Sequence, residues 1–232
     1  MTGHGSDRLP PWDRVLVVVA HPDDESFGMG AVIDAFTDAG AAVSVLCLTH
    51  GEASTLGAVP ELAKVRSAEL AEAARQLGVD STQLLGHPDG GLAALDRAVL
   101  ERDIAGAVDV HRPDGILVMD PRHGVTGHPD HETASRAAWA VAAAHGIPVL
   151  GWALPVSVTL VLNAEYGASF TGYDDDDLDV RLTVDRARQM QAIAAHASQA
   201  VPSSVLWRRL ELQGDQEFLR ALHREHTETS DG

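Results

Sequence analysis

Apolar positions along the chain follow two alternating rhythms. The run Arg14-Val15-Leu16-Val17-Val18-Val19-Ala20 is nearly continuous and β-branched, as a strand covered on both faces of a parallel sheet should be. From Phe27 to Ala39 the rhythm changes: Met29, Val32, Ile33 and Phe36 recur at helical spacing, and Gly40 supplies the stop. The same exchange repeats downstream. Strands are predicted over 42–48, 83–85 and 116–119, helices over 61–77 and 95–110, and a further helix runs from 128 to about 144. Such regular alternation implies right-handed crossovers and a Rossmann-like three-layer α/β fold, a mainly parallel central sheet with helices on both faces. Past Pro148 the pattern predicts strands over 149–154, 156–162 and 180–184, then helices over 184–197 and 203–222. These read as the far edge of the same sheet plus C-terminal cap elements. No linker marks a second domain, so the expectation is one domain over 1–232 with its motif-bearing core at about 14–199.

Two acidic histidine clusters interrupt this pattern, His21-Pro22-Asp23-Asp24-Glu25 and His128-Pro129-Asp130-His131-Glu132. Each stands where a strand gives way to a helix, which in a parallel sheet is the carboxyl end where sites form. Neutral imidazole and carboxylate together suit zinc or ferrous iron, and a hydrolytic centre needs about three protein ligands with a position left for water. His21 and Asp24, three apart on one turn, and His131 from the other turn make such a set. Asp23 is then spare. A bound metal lowers the pKa of its water from about 16 towards about 7, so a neighbouring carboxylate has only to remove the last proton, and Asp23 is the candidate base. If His128 caps its helix with Pro129 at the first position, both imidazoles face one cleft. The helix dipole there disfavours a cationic ring, which suits His131 as a ligand, while Asp130 in the same turn favours protonation of His128. His128 is left to polarise a carbonyl oxygen or protonate a leaving amine.

Composition narrows the partners. A net charge of −17 disfavours nucleic acid or an anionic membrane as the main partner. The single cysteine, Cys47, excludes an intrachain disulfide and fits a reducing, cytoplasmic compartment; on a predicted strand with no base at hand it reads as core. No secretory leader is apparent in residues 1–13, and His145, Gly146, Pro148 and Pro155 cut the most apolar stretch into pieces too short to span a bilayer. The apolar segments after Pro148 suit either core completion or a homo-oligomer contact. Asp174-Asp175-Asp176-Asp177 reads as a solvated loop, since the spaced ligands of an EF-hand are missing.

Taken with their order along the chain, the motifs Ala20-His21-Pro22-Asp23-Asp24-Glu25 and Gly127-His128-Pro129-Asp130-His131 resemble those of the PIG-L/LmbE-like family of zinc-dependent N-acetylglucosaminyl deacetylases. Leu48-Thr49-His50-Gly51-Glu52-Ala53, Arg66-Ser67-Ala68-Glu69-Leu70, Pro88-Asp89-Gly90-Gly91-Leu92 and His196-Ala197-Ser198-Gln199 are similar to its further motifs. The resemblance implies His21, Asp24 and His131 as zinc ligands and Asp23 as general base. It implies His128 as oxyanion stabiliser or acid, with Asp130 orienting it, and Arg66 and Asp89 as contacts to sugar hydroxyls. Glu25 and Glu132 read as outer or helix-start residues. His50 stands where the family often has arginine, and Gly28-Met29-Gly30 follows the acidic cluster rather than preceding a dinucleotide site.

The leading function is hydrolytic removal of acetyl from a small N-acetylated amino sugar or glycoconjugate, with Zn2+, or Fe2+ or another divalent ion, as cofactor. Within the family the alternative is an amidase acting on a mycothiol-type thiol conjugate or its precursor. From another class, the alternative is a catalytically silent metal- or sugar-binding protein. Both Asp23 and His128 speak for turnover, because a mere metal binder requires neither.

Overall fold

In the computed structural model, which describes residues 6–56 and 60–223, seven strands form one sheet. They are β1 (Arg14–Val19), β2 (Ala42–Thr49), β3 (Ser81–His87), β4 (Gly115–Met119), β5 (Val149–Ala153), β6 (Val180–Thr183) and β7 (Gln216–Ala221), in spatial order β3-β2-β1-β4-β5-β7-β6. The first five are mutually parallel, and β7 runs antiparallel to both β5 and β6. The Rossmann-like three-layer α/β fold read from the sequence is thus the observed one.

Alternation along β1 explains the layers. Val15, Val17 and Val19 share one core with Met29, Phe36, Leu70 and Leu77, which belong to or adjoin α2 (Gly30–Asp38) and α3 (Leu62–Gln76). Leu16, Val18 and Ala20 point the other way, joining Leu100 and Ile104 of α4 (Arg97–His111) and Ala134, Ala138 and Val141 of α5 (Pro129–His145). A strand buried on both faces has no polar phase, which is why β1 reads as an unbroken apolar run. β1 pairs with β2 on one side and β4 on the other. Strand order reverses at that junction, and a crevice opens above the carboxyl ends of the two strands. Both histidine clusters leave the sheet there.

Three sequence expectations need correction. Residues expected to form one helix over 27–39 form two, α1 (Asp24–Phe27) and α2, parted at Gly28 and Met29. The apolar run expected as a strand over 156–162 is a helix, α6 (Val156–Tyr166). Its buried residues are Val158, Thr159 and Leu162, on one helical face, while Val156 and Leu160 are exposed. Pro155 serves as its N-cap, where a missing N–H costs nothing. β-propensity yielded to packing. The helix expected over 203–222 is shorter, α8 (Val205–Gln213); Gly214 at φ 57° ends it and the chain returns as β7. Buried Glu217 on β7 accepts from Trp152 Nε1 at 2.8 Å and from Arg186 at 2.5 Å, which secures the strand beside β5. The remaining helix, α7 (Ala187–Ala195), lies within the expected 184–197, and the acidic run 174–177 is an exposed turn whose Asp175 pairs with Arg181 at 3.3 Å.

Candidate functional site

Above the β1–β4 junction lies a cleft of about 820 Å³ with both histidine clusters at its floor. His21 follows β1 and is 7% exposed; His131 lies in the first turn of α5 and is 9% exposed. His21 Nδ1 and His131 Nε2 stand 3.1 Å apart, His131 Nε2 is 3.1 Å from Asp24 Oδ1, and His21 Nδ1 is 3.6 Å from Asp24 Oδ2. Donors bonded to a tetrahedral zinc at about 2.0–2.1 Å lie about 3.3 Å from one another. The two imidazole nitrogens and the Asp24 carboxylate, which meets His131 through Oδ1 and His21 through Oδ2, therefore form a triangle of groups at separations that such an ion spans.

Each of the three side chains is aimed by its neighbours. Asp24 accepts from the backbone N–H of His21 at 2.9 Å and of Ala20 at 3.2 Å through Oδ2, which turns Oδ1 towards His131. Burial would raise its pKa, but His131 and His21 outweigh burial and hold the carboxylate ionised, well below the usual range. His131 Nδ1 lies 2.7 Å from Thr126 Oγ1; the tautomer that donates there leaves the Nε2 lone pair facing the triangle. The far nitrogen of His21, Nε2, faces Asp89 Oδ1 at 3.1 Å and Asp130 Oδ2 at 3.4 Å, close enough for charge pairing although no aligned hydrogen bond forms. Burial alone would lower the His21 pKa, yet Asp130, Asp24 and Asp89 overcome it and raise it to about 12. In the protein alone, a proton thus supplies the positive charge that these carboxylates demand. The same chemistry, carboxylates backing an imidazole whose other nitrogen faces a donor triangle, fits a divalent cation.

Asp23 occupies a strained position. Its φ of 138° lies in the region favoured by glycine, and three contacts hold it there. Glu25 Oε2 accepts its N–H at 3.0 Å, Arg66 pairs with its Oδ1 at 3.0 Å, and its C=O accepts from Phe27 N at 2.7 Å as α1 begins. Burial raises the Asp23 pKa to about 6, with Arg66 pulling the other way. Arg66 is 3% exposed, so its pairing with Asp23 is a sheltered one. It also donates to Gly51 O at 2.7 Å and Pro22 O at 2.5 Å. Gly51 has φ 65°, and a Cβ there would lie 2.0 Å from the Arg66 guanidinium, so only glycine admits the arginine.

The second cluster starts α5 as expected. His128 is its N-cap, Pro129 follows at the first turn, and His128 Nδ1 accepts from Asp130 N at 3.2 Å. With Nδ1 accepting, the ring's proton sits on Nε2. Burial, followed by His131 and His21, lowers the His128 pKa; Asp130 opposes them but does not prevail. Asp130 reaches His128 through its backbone N–H rather than its carboxylate. That carboxylate instead accepts from Gly90 N at 2.8 Å and Leu92 N at 3.1 Å and faces His21.

Asp89 lines the cleft, accepting from Ala53 N at 2.7 Å besides facing His21. Cys47 is fully buried with its thiol pKa pushed up by burial, an inert core residue as read. Glu132 forms a surface pair with Arg136 at 2.8 Å. Two supports escaped sequence reasoning. Thr126 lies in an irregular loop and no spacing rule marks it. The buried Glu25–His196 pair, 2.7 Å between Oε1 and Nε2, joins the first cluster to the His196-Ala197-Ser198-Gln199 segment; the signal was present in that motif, but not its partner.

Comparison with known proteins adds kinship. Residues 16–142, more than half of the chain, match the PIG-L family model described as GlcNAc-PI de-N-acetylase. A 1D-myo-inositol 2-acetamido-2-deoxy-alpha-D-glucopyranoside deacetylase of Kineococcus radiotolerans is 35% identical over 193 residues, covering 67% of this chain and 52% of that protein. The chain thus spans about half the length of that relative. The enzyme of the same description from Mycolicibacterium vanbaalenii is 31% identical over 229 residues, covering 80% of each. Among solved structures, the A40926 pseudoaglycone deacetylase superposes with a TM-score of 0.71 at 22% identity, over 91% of this chain and 98% of that one. A 4-carboxy-2-hydroxymuconate hydratase superposes with a TM-score of 0.64 at 19% identity, over 93% and 98%, so the fold alone does not choose the reaction. The family match and the Mycolicibacterium relative do decide kinship: this chain belongs to the PIG-L family of de-N-acetylases.

Proposed function

We propose that the protein is a metal-dependent N-deacetylase that hydrolyses the acetamide of an N-acetylated amino sugar or glycoconjugate. The observation that carries this reading is the triangle of His21 Nδ1, Asp24 and His131 Nε2, with sides of 3.1–3.6 Å, set beside a partly buried, strained Asp23. His21, Asp24 and His131 are the proposed ligands. His128 is not needed among them, because its Nδ1 is occupied by Asp130 N, and both Asp130 oxygens already accept from backbone N–H groups. Zinc, or ferrous iron in its place, would supply Lewis acidity that polarises the carbonyl and brings the pKa of water near 7.

The chain's own groups do the rest. Asp23, ionised above about pH 6, takes the proton of the attacking water and returns it to the departing amine. Arg66 keeps Asp23 in place and favours its charged form. The Nε2–H of His128, a neutral donor, is the group available to the developing oxyanion. Asp89, at the rim of the donor triangle, is the proposed contact to a sugar hydroxyl. The names of the two bacterial relatives favour, within this class, a 2-acetamido-2-deoxyglucosyl inositol as substrate. No helix among the described residues is long and apolar enough to cross a membrane.

Metal analysis by mass spectrometry together with acetate release from a panel of N-acetylglucosaminides tests the reading. One equivalent of zinc or iron and release of stoichiometric amine are expected. A metal-loaded protein that cleaves no acetamide in the panel would favour the silent binding protein instead.

A further inference from the structure

The proposed acetamide chemistry occupies only the middle of the cleft. Strand order arranges its lining in sequence above the sheet. Asp89 and Gly90 follow β3, Ala53 and Ser54 follow β2, His21 to Asp24 follow β1, and His128 to His131 follow β4. Beyond them, on the β5 side, the lining turns apolar: Phe27, Met119, Trp152, Phe170 and Leu206. Met119 and Trp152 are partners across β4 and β5 and are 5% and 2% exposed. Gly28 joins this arm to the donor triangle: a Cβ there would lie 3.2 Å from Asp24 O, 3.4 Å from Met119 Cε and 3.5 Å from Trp152 Cε3. The charged residue on this wall, Arg209, is turned to wall groups. It donates to Phe27 O and Gln213 Oε1, lies 3.9 Å from Glu217 and stacks 5.2 Å above the Trp152 ring.

A substrate amide has two arms diverging from its carbonyl carbon and nitrogen. The sugar arm carries hydroxyls and finds its polar partners on the β2–β3 side. The acyl arm is then directed to the β5 side, where an acetyl methyl reaches little of the wall. We propose that the Phe27–Met119–Trp152–Phe170–Leu206 wall is an acyl subsite, and that the enzyme accepts N-acyl amino sugars whose acyl group is an unbranched chain of several carbons. This rests on the N-deacetylase reading and extends its substrate class from acetyl to longer apolar acyl groups. The bond broken is the same amide C–N bond, with water adding to the carbonyl and the carboxylic acid and free amine leaving.

N-acetyl-, N-butyryl-, N-hexanoyl- and N-octanoylglucosamine, with octyl N-acetylglucosaminide carrying the chain on the glycosidic oxygen instead, provide the test. Burying a methylene contributes about 0.8 kcal/mol, a factor of about four, so kcat/KM is expected to climb about fourfold per methylene until the arm is filled. The variant Phe170→Ser, whose backbone stays tied to Asn163 at 2.7 and 2.9 Å, is expected to lower the hexanoyl-to-acetyl ratio about fivefold or more. Turnover that is highest for acetyl and declines steadily with acyl chain length would overturn the subsite while leaving the deacetylase reading intact. So would a rate gain confined to the octyl glycoside, which would give the wall to the aglycone. Calorimetry of the metal-free protein with the same series supplies a readout independent of turnover. Tighter binding of hexanoyl- than of acetylglucosamine supports the subsite even if no amide is cleaved, and equal affinities overturn it.

Discussion

The two turns that meet at the floor of the cleft are built on opposite principles. The second is a regular helix start: His128 caps it, Pro129 fits its first turn, and Asp130 and Glu132 lie where acidic groups are favoured. Its backbone needs no remote support to start the helix. The first turn is not self-supporting. Asp23 sits at φ 138° with no side-chain cap, and Arg66 from α3, Glu25 and, behind Glu25, His196 from beyond α7 keep it there. Ligand and cap chemistry thus tolerates a standard backbone, whereas the proposed base is placed by over-determination from remote residues. The contrast teaches where to look for loss of activity without loss of metal: on the first turn and its distant supports.

Substitutions can break this contrast in graded steps. The largest effect is expected from His131→Ala, which removes a proposed ligand; bound zinc measured by mass spectrometry and activity should both fall to background. Asp23→Asn should keep the metal and lower kcat by about 10²–10⁴-fold, the usual worth of a positioned base; substantial activity in this variant would remove Asp23 from that role. His128→Ala should lower kcat by about 10²–10³-fold through loss of a donor to the oxyanion. Thermal melting should also register the lost helix cap, about 0.5–2 kcal/mol. Glu25→Gln reaches the first turn indirectly. Breaking a buried pair costs about 3–5 kcal/mol, so denaturation should show marked destabilisation, with turnover down about 10–100-fold at unchanged metal content.

The smallest effect is on the pH profile. Because burial raises the Asp23 pKa to about 6 and the carboxylate is the active form, kcat/KM should rise with pH through about 6 and level off above it. Arg66 pulls that pKa down, so Arg66→Met should move the ascending limb to higher pH. A limb that stays in place would show that Asp23 does not govern it.

How much of this was legible in the sequence differs by region for the same physical reason. β1 to β5 are covered on both faces or follow strict strand-helix alternation, so their apolar runs and glycine stops mark them directly. That His21, Asp24 and His131 would come together was legible because ligand chemistry is tied to residue type and both clusters stand at strand ends. Past Pro148 the signal fails. Val156-Ser157-Val158-Thr159-Leu160-Val161-Leu162 carries β-branched residues into a helix because α6 buries one face and exposes another, a choice that its neighbours make. The part played by Asp130 was equally hidden, since its backbone N–H and its carboxylate serve different partners and only geometry separates them. Arg66 was read as a sugar contact; its burial beneath Asp23 depends on Gly51, whose missing side chain is easily taken for an ordinary turn.

Inserted antiparallel between β5 and β6, β7 is also the last of the described strands to leave the ribosome. Until it arrives, β5 presents an open edge and β6 lacks its only strand partner among the described residues. Trp152, meanwhile, has no Glu217 to receive its indole N–H. A nascent chain halted before Gln216 would therefore hold both histidine turns while Trp152, in the apolar part of the cleft lining, still lacked the acceptor for its indole.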